Sequence, residues 1–337
     1  MPEFTAALWT NALTVARRFL VLTGALLLAS CGQSREDDIP TLKVGDQLHA
    51  LQSALAAAGE DQPKDYHIEW SNFIGGPAVI AAQTGGSVDL GWMAETPLVF
   101  AQAAGSPVKV VAVSKAARSD SSNMALVVSA NSSIRSVADL KGRKIGYLPG
   151  TISQYLVVRV LESAGLTLKD VTGVKISSYS AAMLERGLVD AYTSAEPILS
   201  QGLNDGKLRV LAYAGEPYTP GFGYLVASDS ALADPKRSAL IGDFVARAAR
   251  ASRFQRENVE KAAPFTAKAF NVSPQLAEQI LRRAPSHYGP IDGSIVAGHQ
   301  QEADLFLKLG LIRNRVDAAK LFDNRYDAQV ASAENGK

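Results

Sequence analysis

The chain has 337 residues, 34 Lys+Arg against 33 Asp+Glu, and is 47% hydrophobic with 20% charged residues. That balance excludes wholesale disorder and leaves no basic footprint for nucleic acid. A single Cys among 337 residues excludes a disulfide framework and any multi-Cys metal or iron–sulfur site, and the length suits about two domains.

That Cys is Cys31, and it follows the uncharged run Phe19–Ser30, itself preceded by Arg17 and Arg18. The run is too short to cross a hydrocarbon core of ~30 Å and has the length of a signal-peptide apolar region. Its end, Leu28-Ala29-Ser30-Cys31, resembles the bacterial lipobox, in which cleavage before the Cys leaves that residue as the lipidated N-terminus. Residues 1–30 therefore read as a lipoprotein signal peptide and 31–40 as a polar tether. The remainder is expected to be periplasmic, anchored through lipid on Cys31 and monomeric. Loss of Glu3, Arg17 and Arg18 with the leader leaves the mature body formally neutral.

From Thr41 the chain alternates short apolar strands with helical segments, the pattern of an α/β fold with a largely parallel sheet. Strands are expected at 41–44, 67–73, 88–92, 108–114, 124–129, 144–147, 174–177, 189–193, 209–213 and 224–228. Helices are expected at 47–58, 77–84, 97–104, 153–164, 181–186 and 197–203, and from Pro235 onward the chain reads as almost wholly helical.

Two blocks repeat. Gly86, Val88, Asp89, Glu95, Leu98 and Gly105 recur in the same order and spacing as Gly187, Val189, Asp190, Glu196, Leu199 and Gly206. A repeat this long is no solenoid; it describes two α/β lobes of one design, with a ligand site expected between them.

Four helix starts carry chemistry suited to an anion: Asp46-Gln47, Gly75-Gly76-Pro77, Gly150-Thr151-Ile152-Ser153 and Ser178-Tyr179-Ser180. A helix N-terminus offers unpaired N–H groups and partial positive charge, Gly allows close approach, and Ser or Thr adds a hydroxyl donor. The same residue types are also ordinary helix caps, so each start has a purely structural alternative. Glu95 and Glu196 hold matching places after a strand, where each would either grip an ammonium or ligand donor or serve as a helix-start carboxylate. His49, His67, His287 and His299 fall in no metal-ligand spacing, and neither a phosphate loop nor a nucleophile elbow occurs. No cofactor, metal site or catalytic group is expected.

The blocks Phe73-Ile74-Gly75-Gly76-Pro77, Gly86-Ser87-Val88-Asp89-Leu90-Gly91, Glu95-Thr96-Pro97 through Gly105, Ser136-Val137-Ala138-Asp139-Leu140-Lys141-Gly142, Gly150-Thr151 and Glu196-Pro197 resemble the substrate-binding proteins of ABC importers for sulfonates, taurine and nitrate. The resemblance runs from about Thr41 to Val330, and the Phe100–Gly105 stretch looks most like the aliphatic-sulfonate branch. It implies a type II periplasmic-binding-protein fold: two five-stranded α/β lobes joined by a two-strand hinge near 124–129 and 222–228, with a C-terminal helical segment. Lobe 1 would begin with 41–125, lobe 2 with its hinge strand would hold 126–221, and 222–337 would return to pack on lobe 1.

By the same resemblance the chain is a binding lipoprotein and not an enzyme. It would capture an alkanesulfonate or sulfate ester and deliver it to an ABC permease and its ATPase. The ligand contacts so implied are Gln47, Gly76, Pro77, Glu95, Thr96, Thr151, Ser153, Gln154, Ser178 and Glu196. The family's aromatic before the second acid is replaced here by Ser194-Ala195, which leaves Tyr179, Tyr192, Phe222 and Tyr224 as substitute apolar walls. Taurine, nitrate or a thiamine-precursor pyrimidine are alternative ligands, and a lipoprotein sensor or a cofactor-biosynthesis enzyme are alternatives of another class.

Overall fold

The computed structural model describes residues 39–118 and 122–336, so Cys31, the leader and most of the tether lie outside the described residues. Eleven described strands form two sheets. The first combines β1 (Thr41–Gln47), β2 (His67–Phe73), β3 (Leu90–Ala94) and β4 (Val108–Ala116) with the late strands β10 (Phe222–Ser228) and β11 (Ser286–Gly289). The second combines β5 (Met124–Ser129), β6 (Lys144–Tyr147), β7 (Thr172–Lys175), β8 (Ala191–Ala195) and β9 (Leu208–Tyr213).

The strand orders are β11-β4-β10-β3-β1-β2 and β7-β6-β8-β5-β9. Leaving out β11 and reversing the second, the two sheets have one order, with β1, β2, β3, β10 and β4 matched by β6, β7, β8, β5 and β9. In both, the first three are parallel and the fourth is antiparallel to its neighbours on either side. The repeat seen in the sequence is thus a repeat of topology. Its shared Asp does the same work twice: Asp89 accepts from Lys43 N–H at the start of β1 (3.1 Å), and Asp190 from Lys144 N–H at the start of β6 (2.8 Å).

One expectation changes and two are sharpened. The sheets are mixed and not largely parallel, because β10 and β5 insert antiparallel. The two crossings lie near the expected places, directly before 124–129 and 222–228: the chain passes between sheets after Ala116 and again between Tyr213 and Phe222, while β5 and β10 themselves each lie in one sheet. The region after Pro235 is almost wholly helical as expected, with one addition: β11 adds a sixth strand beside β4, which local pattern hid because Ser-His-Tyr-Gly carries almost no apolar alternation.

The helices are α1 (Ala50–Ala58), α2 (Gly76–Thr84), α3 (Thr96–Ala103), α4 (Ile152–Ser163), α5 (Ala182–Glu185) and α6 (Ile198–Asn204). Then come α7 (Asp229–Ala233), α8 (Pro235–Glu257), α9 (Val259–Phe270), α10 (Pro274–Arg283), α11 (Gly293–Lys308) and α12 (Asp327–Glu334). The long α8 starts cleanly because Asp234 accepts from the N–H groups of Lys236 and Arg237 and Pro235 occupies the first turn. Its apolar face, with Phe244, Val245 and Ala248, closes one side of the first sheet against Leu42 and Val44. On the other side Val79, Met93, Leu98 and Tyr224 form a second core. Val110, Val111, Ala112 and Val113 of β4 are fully buried in succession, the signature of a strand covered on both faces.

Candidate functional site

Two helix starts meet at the seam between the sheets. After β2, Gly75 takes a left-handed φ of 82° and turns the chain into α2, which has Pro77 in its first turn and no side-chain cap. A Cβ on Gly76 would lie 2.5 Å from Pro97 Cγ and 3.1 Å from Met93 Cβ, so only Gly lets α2 seat against α3 and β3 here. A Cβ on Gly91 would come 2.3 Å from Val79 Cγ1, the same constraint seen from the sheet. After β6, Gly150 at φ 68° leads into α4. The two starts come close: a Cβ on Gly75 would lie 3.7 Å from Thr151 Cγ2, and one on Gly150 would lie 3.8 Å from Pro77 Cγ.

The hydroxyls at the α4 start face inward. Thr151 donates to Leu148 O (2.9 Å) and accepts from Ser153 N–H (3.2 Å). Ser153 accepts from Leu148 N–H (2.9 Å), shares a hydrogen bond with Thr193 and is fully buried. Gln154 accepts from Gly150 N–H through Oε1 (2.8 Å), which leaves its Nε2 amide as the remaining donor. Thr151 and Ser153 therefore set the shape of the turn, while Gln154 faces the space beside it.

That space is a cavity of about 580 Å³, within the range of small-molecule sites. Its first wall is apolar: Pro77 and Ile80 of α2, Pro97, Phe100 and Ala101 of α3, and Leu311. Its second wall holds Tyr147, Pro149, Gly150, Gln154 and Lys175. Lys175 ends β7 and is exposed, and it supplies the cation that reasoning from helix starts missed. The expected strand at 174–177 put Lys175 near its start; the observed strand is shifted to end at Lys175, which brings the side chain to the carboxyl end where ligands gather in α/β sheets. Tyr147, Ile80 and Leu311 were also not anticipated.

Other expected contacts lie elsewhere. The start of α1 is occupied by the protein's own carboxylate: Asp46 accepts from the N–H groups of Gln47 (2.7 Å), Leu51 (3.1 Å) and Gln52 (2.8 Å). An anion there would meet the Asp46 carboxylate, to which these N–H groups already donate. Gln47 spends its amide on Trp92 O at 2.8 Å, tying β1 to β3. Ser178 is exposed, and the helix after it shrinks to the single turn Ala182–Glu185 with no side-chain cap. Tyr192 and Tyr224 are no pocket walls; both are fully buried in the cores.

Glu95 and Glu196 share a position but not a role. Glu196 accepts from Ser200 Oγ (2.9 Å) and Ser200 N–H (3.1 Å) and pairs with Arg283 of α10 at 3.0 Å. Burial raises its pKa, while Ser200 and Arg283 act against the rise. A second bond, Asn204 Nδ2 to Gln279 Oε1 at 2.9 Å, joins α6, the helix that follows Glu196, to α10. Glu196 is a tie between the lobes. Glu95 is 1% exposed with neither carboxyl oxygen partnered among the described residues, and burial pushes its pKa up to about 8. Thr96 donates to Glu302 of α11 at 2.5 Å.

A family model described as NMT1/THI5 like matches residues 75–233. A putative aliphatic sulfonates-binding protein of Escherichia coli K12 is 31% identical over 303 residues, which is 88% of this chain and 93% of that protein. The alkanesulfonate-binding protein of Xanthomonas axonopodis pv. citri, solved bound to MOPS, superimposes with a TM-score of 0.76 at 28% identity, covering 84% of this chain and 98% of that one. The periplasmic aliphatic sulphonate binding protein of Escherichia coli gives a TM-score of 0.73 at 29% identity, covering 83% and 91%.

Proposed function

This chain belongs to the aliphatic sulfonate-binding protein family, and from that membership we propose that it is the substrate-binding receptor of an ABC importer for an organosulfur anion. Its ligand is an alkanesulfonate or sulfate ester, held between the lobes and presented to a membrane permease and its ATPase. The observation that carries the reading is the two-sided cavity, with apolar Pro77, Ile80, Pro97 and Phe100 facing Lys175, Gln154 and Gly150. A sulfonate keeps its charge at any physiological pH. Its head suits the Lys175 ammonium and the amide donors, and its hydrocarbon tail suits the opposite wall.

Taurine is disfavoured. Its ammonium needs a carboxylate, but Glu196 is engaged by Arg283, and neither Glu196 nor Glu95 lines the cavity. Nitrate would leave most of about 580 Å³ without contacts. Titration calorimetry with hexanesulfonate, hexyl sulfate, taurine, nitrate and a hydroxymethylpyrimidine checks this. The two C6 anions are expected to bind at least tenfold more tightly than the rest, and a preference for taurine, nitrate or the pyrimidine would sink the reading.

The sequence before the fold supports lipid anchoring at Cys31 in the periplasm. Mass spectrometry of the membrane-extracted protein is expected to find an N-terminal, acylated Cys31, and an intact residue 1–30 leader would refute it.

A further inference from the structure

Behind the cavity wall lies a group of buried polar side chains that ligand capture does not use. Glu95 opens α3, and Glu302 stands on α11, which packs along it. Both are 1% exposed. Thr96 satisfies one oxygen of Glu302, while Glu302 Oε2 and both oxygens of Glu95 have no partner among the described residues. No described Lys or Arg pairs with either acid.

The groups that face this pair are neutral. Tyr224 of β10 is fully buried with an unpartnered hydroxyl. His299, one turn before Glu302, is buried with both ring nitrogens unpartnered and stacks edge-on to Tyr224 at 6.4 Å and Phe322 at 5.8 Å. Burial lowers its pKa to about 4, so it supplies no positive charge at neutral pH. From the second lobe comes Tyr155 of α4, packed T-shaped on Phe306 one turn after Glu302. Both acids act electrostatically on Tyr155, as do Arg159 and Glu162 further along α4. Two carboxylates cannot both stay ionised side by side in such a place: burying each unpaired charge costs several kcal/mol, and their repulsion adds to it.

We propose that Glu95 and Glu302 form a proton-binding site, in which the pair takes one proton from solvent and holds it between α3 and α11 beneath the ligand cavity. Burial raises the pKa of Glu95 and of Glu302, and the Glu95 charge raises that of Glu302 further. A group whose folded-state pKa is raised contributes stability that is fully present below its unfolded value and is lost as pH rises through the folded one. The window therefore lies above the ordinary carboxyl range. The site does not depend on which ligand the cavity takes.

The test uses the ligand-free protein. Its thermal midpoint between pH 5.5 and 9 is compared with those of Glu302→Gln and Glu95→Gln, which keep shape and remove one acid each. The wild type is expected to lose several degrees relative to both variants as pH rises. A pH profile that neither substitution alters would overturn the proposal. Infrared spectroscopy of the wild type gives an answer even if a variant fails to fold. A buried carboxylic-acid absorption present at pH 7 and lost by pH 9.5 is expected, and its absence at pH 7 would show both acids ionised.

Discussion

At the scale of single residues, side chains of one type divide between building the site and facing it. Ser153 and Thr151 look like anion donors in sequence, but their hydroxyls are engaged by Leu148, Ser153 N–H and Thr193. Lys175 had no motif around it, yet it lines the cavity. This separates two substitutions. Lys175→Met removes a charge-assisted contact and is expected to weaken hexanesulfonate binding by about 1.5–3 kcal/mol, read by calorimetry, with little change in urea stability. Ser153→Ala leaves Leu148 N–H without its partner and is expected to cost about 1–3 kcal/mol in urea unfolding, with the smaller effect on affinity. Equal losses of affinity in the two variants would put the Ser153 hydroxyl back among the ligand contacts. Spacing shows which residues stand at a helix start. It does not show whether a neighbour has already taken the open N–H groups, as Asp46 does ahead of α1.

At the scale of elements, the working parts are α2, α3 and α4, and what holds them is contact across the seam. Tyr155 and Ile152 of α4 join Val99, Phe100, Ala303 and Phe306 in one apolar cluster, so the second lobe contributes to the packing of the first. Phe100 and Phe306 lie 5.3 Å apart, and Tyr155 meets Phe306 edge-on at 5.7 Å. Tyr155→Ala removes that contact from the form in which the lobes meet. It is expected to weaken hexanesulfonate by about 1–2 kcal/mol, roughly five- to thirtyfold, and to raise the radius of gyration of the ligand-free protein in X-ray scattering. Unchanged affinity and radius would mean that the cluster forms without bearing on closure. Most of these elements were readable in sequence: 144–147 and 124–129 stand as expected, and α2 and α4 begin one residue earlier than expected. The helix after Ser178 is one residue shorter at each end than expected, 182–185 against 181–186.

At the scale of the whole molecule, the repeat was legible and its wiring was not. Gly86 through Gly105 and Gly187 through Gly206 announced two lobes of one design, and the matched strand orders realise it. What the pattern could not show is that each sheet receives an antiparallel strand next to the crossing points, since strand direction depends on partners far away in the chain. Nor could it show that Arg283, from a helix packed on the first lobe, would reach back to Glu196 in the second.

The strand orders also set a calendar for the growing chain. The second sheet draws all its strands from 124–213, an unbroken stretch, whereas the first needs β10 at 222–228 to join β3 to β4 and β11 at 286–289 to complete its edge. Its core further waits for α8, Tyr326 and Val330. In synthesis from the N-terminus, the half that starts first is thus the half that finishes last. β1, β2 and β3 can pair among themselves early, but β4 has neither neighbour until β10 and then β11 appear, so the later-made lobe can assemble ahead of the earlier one.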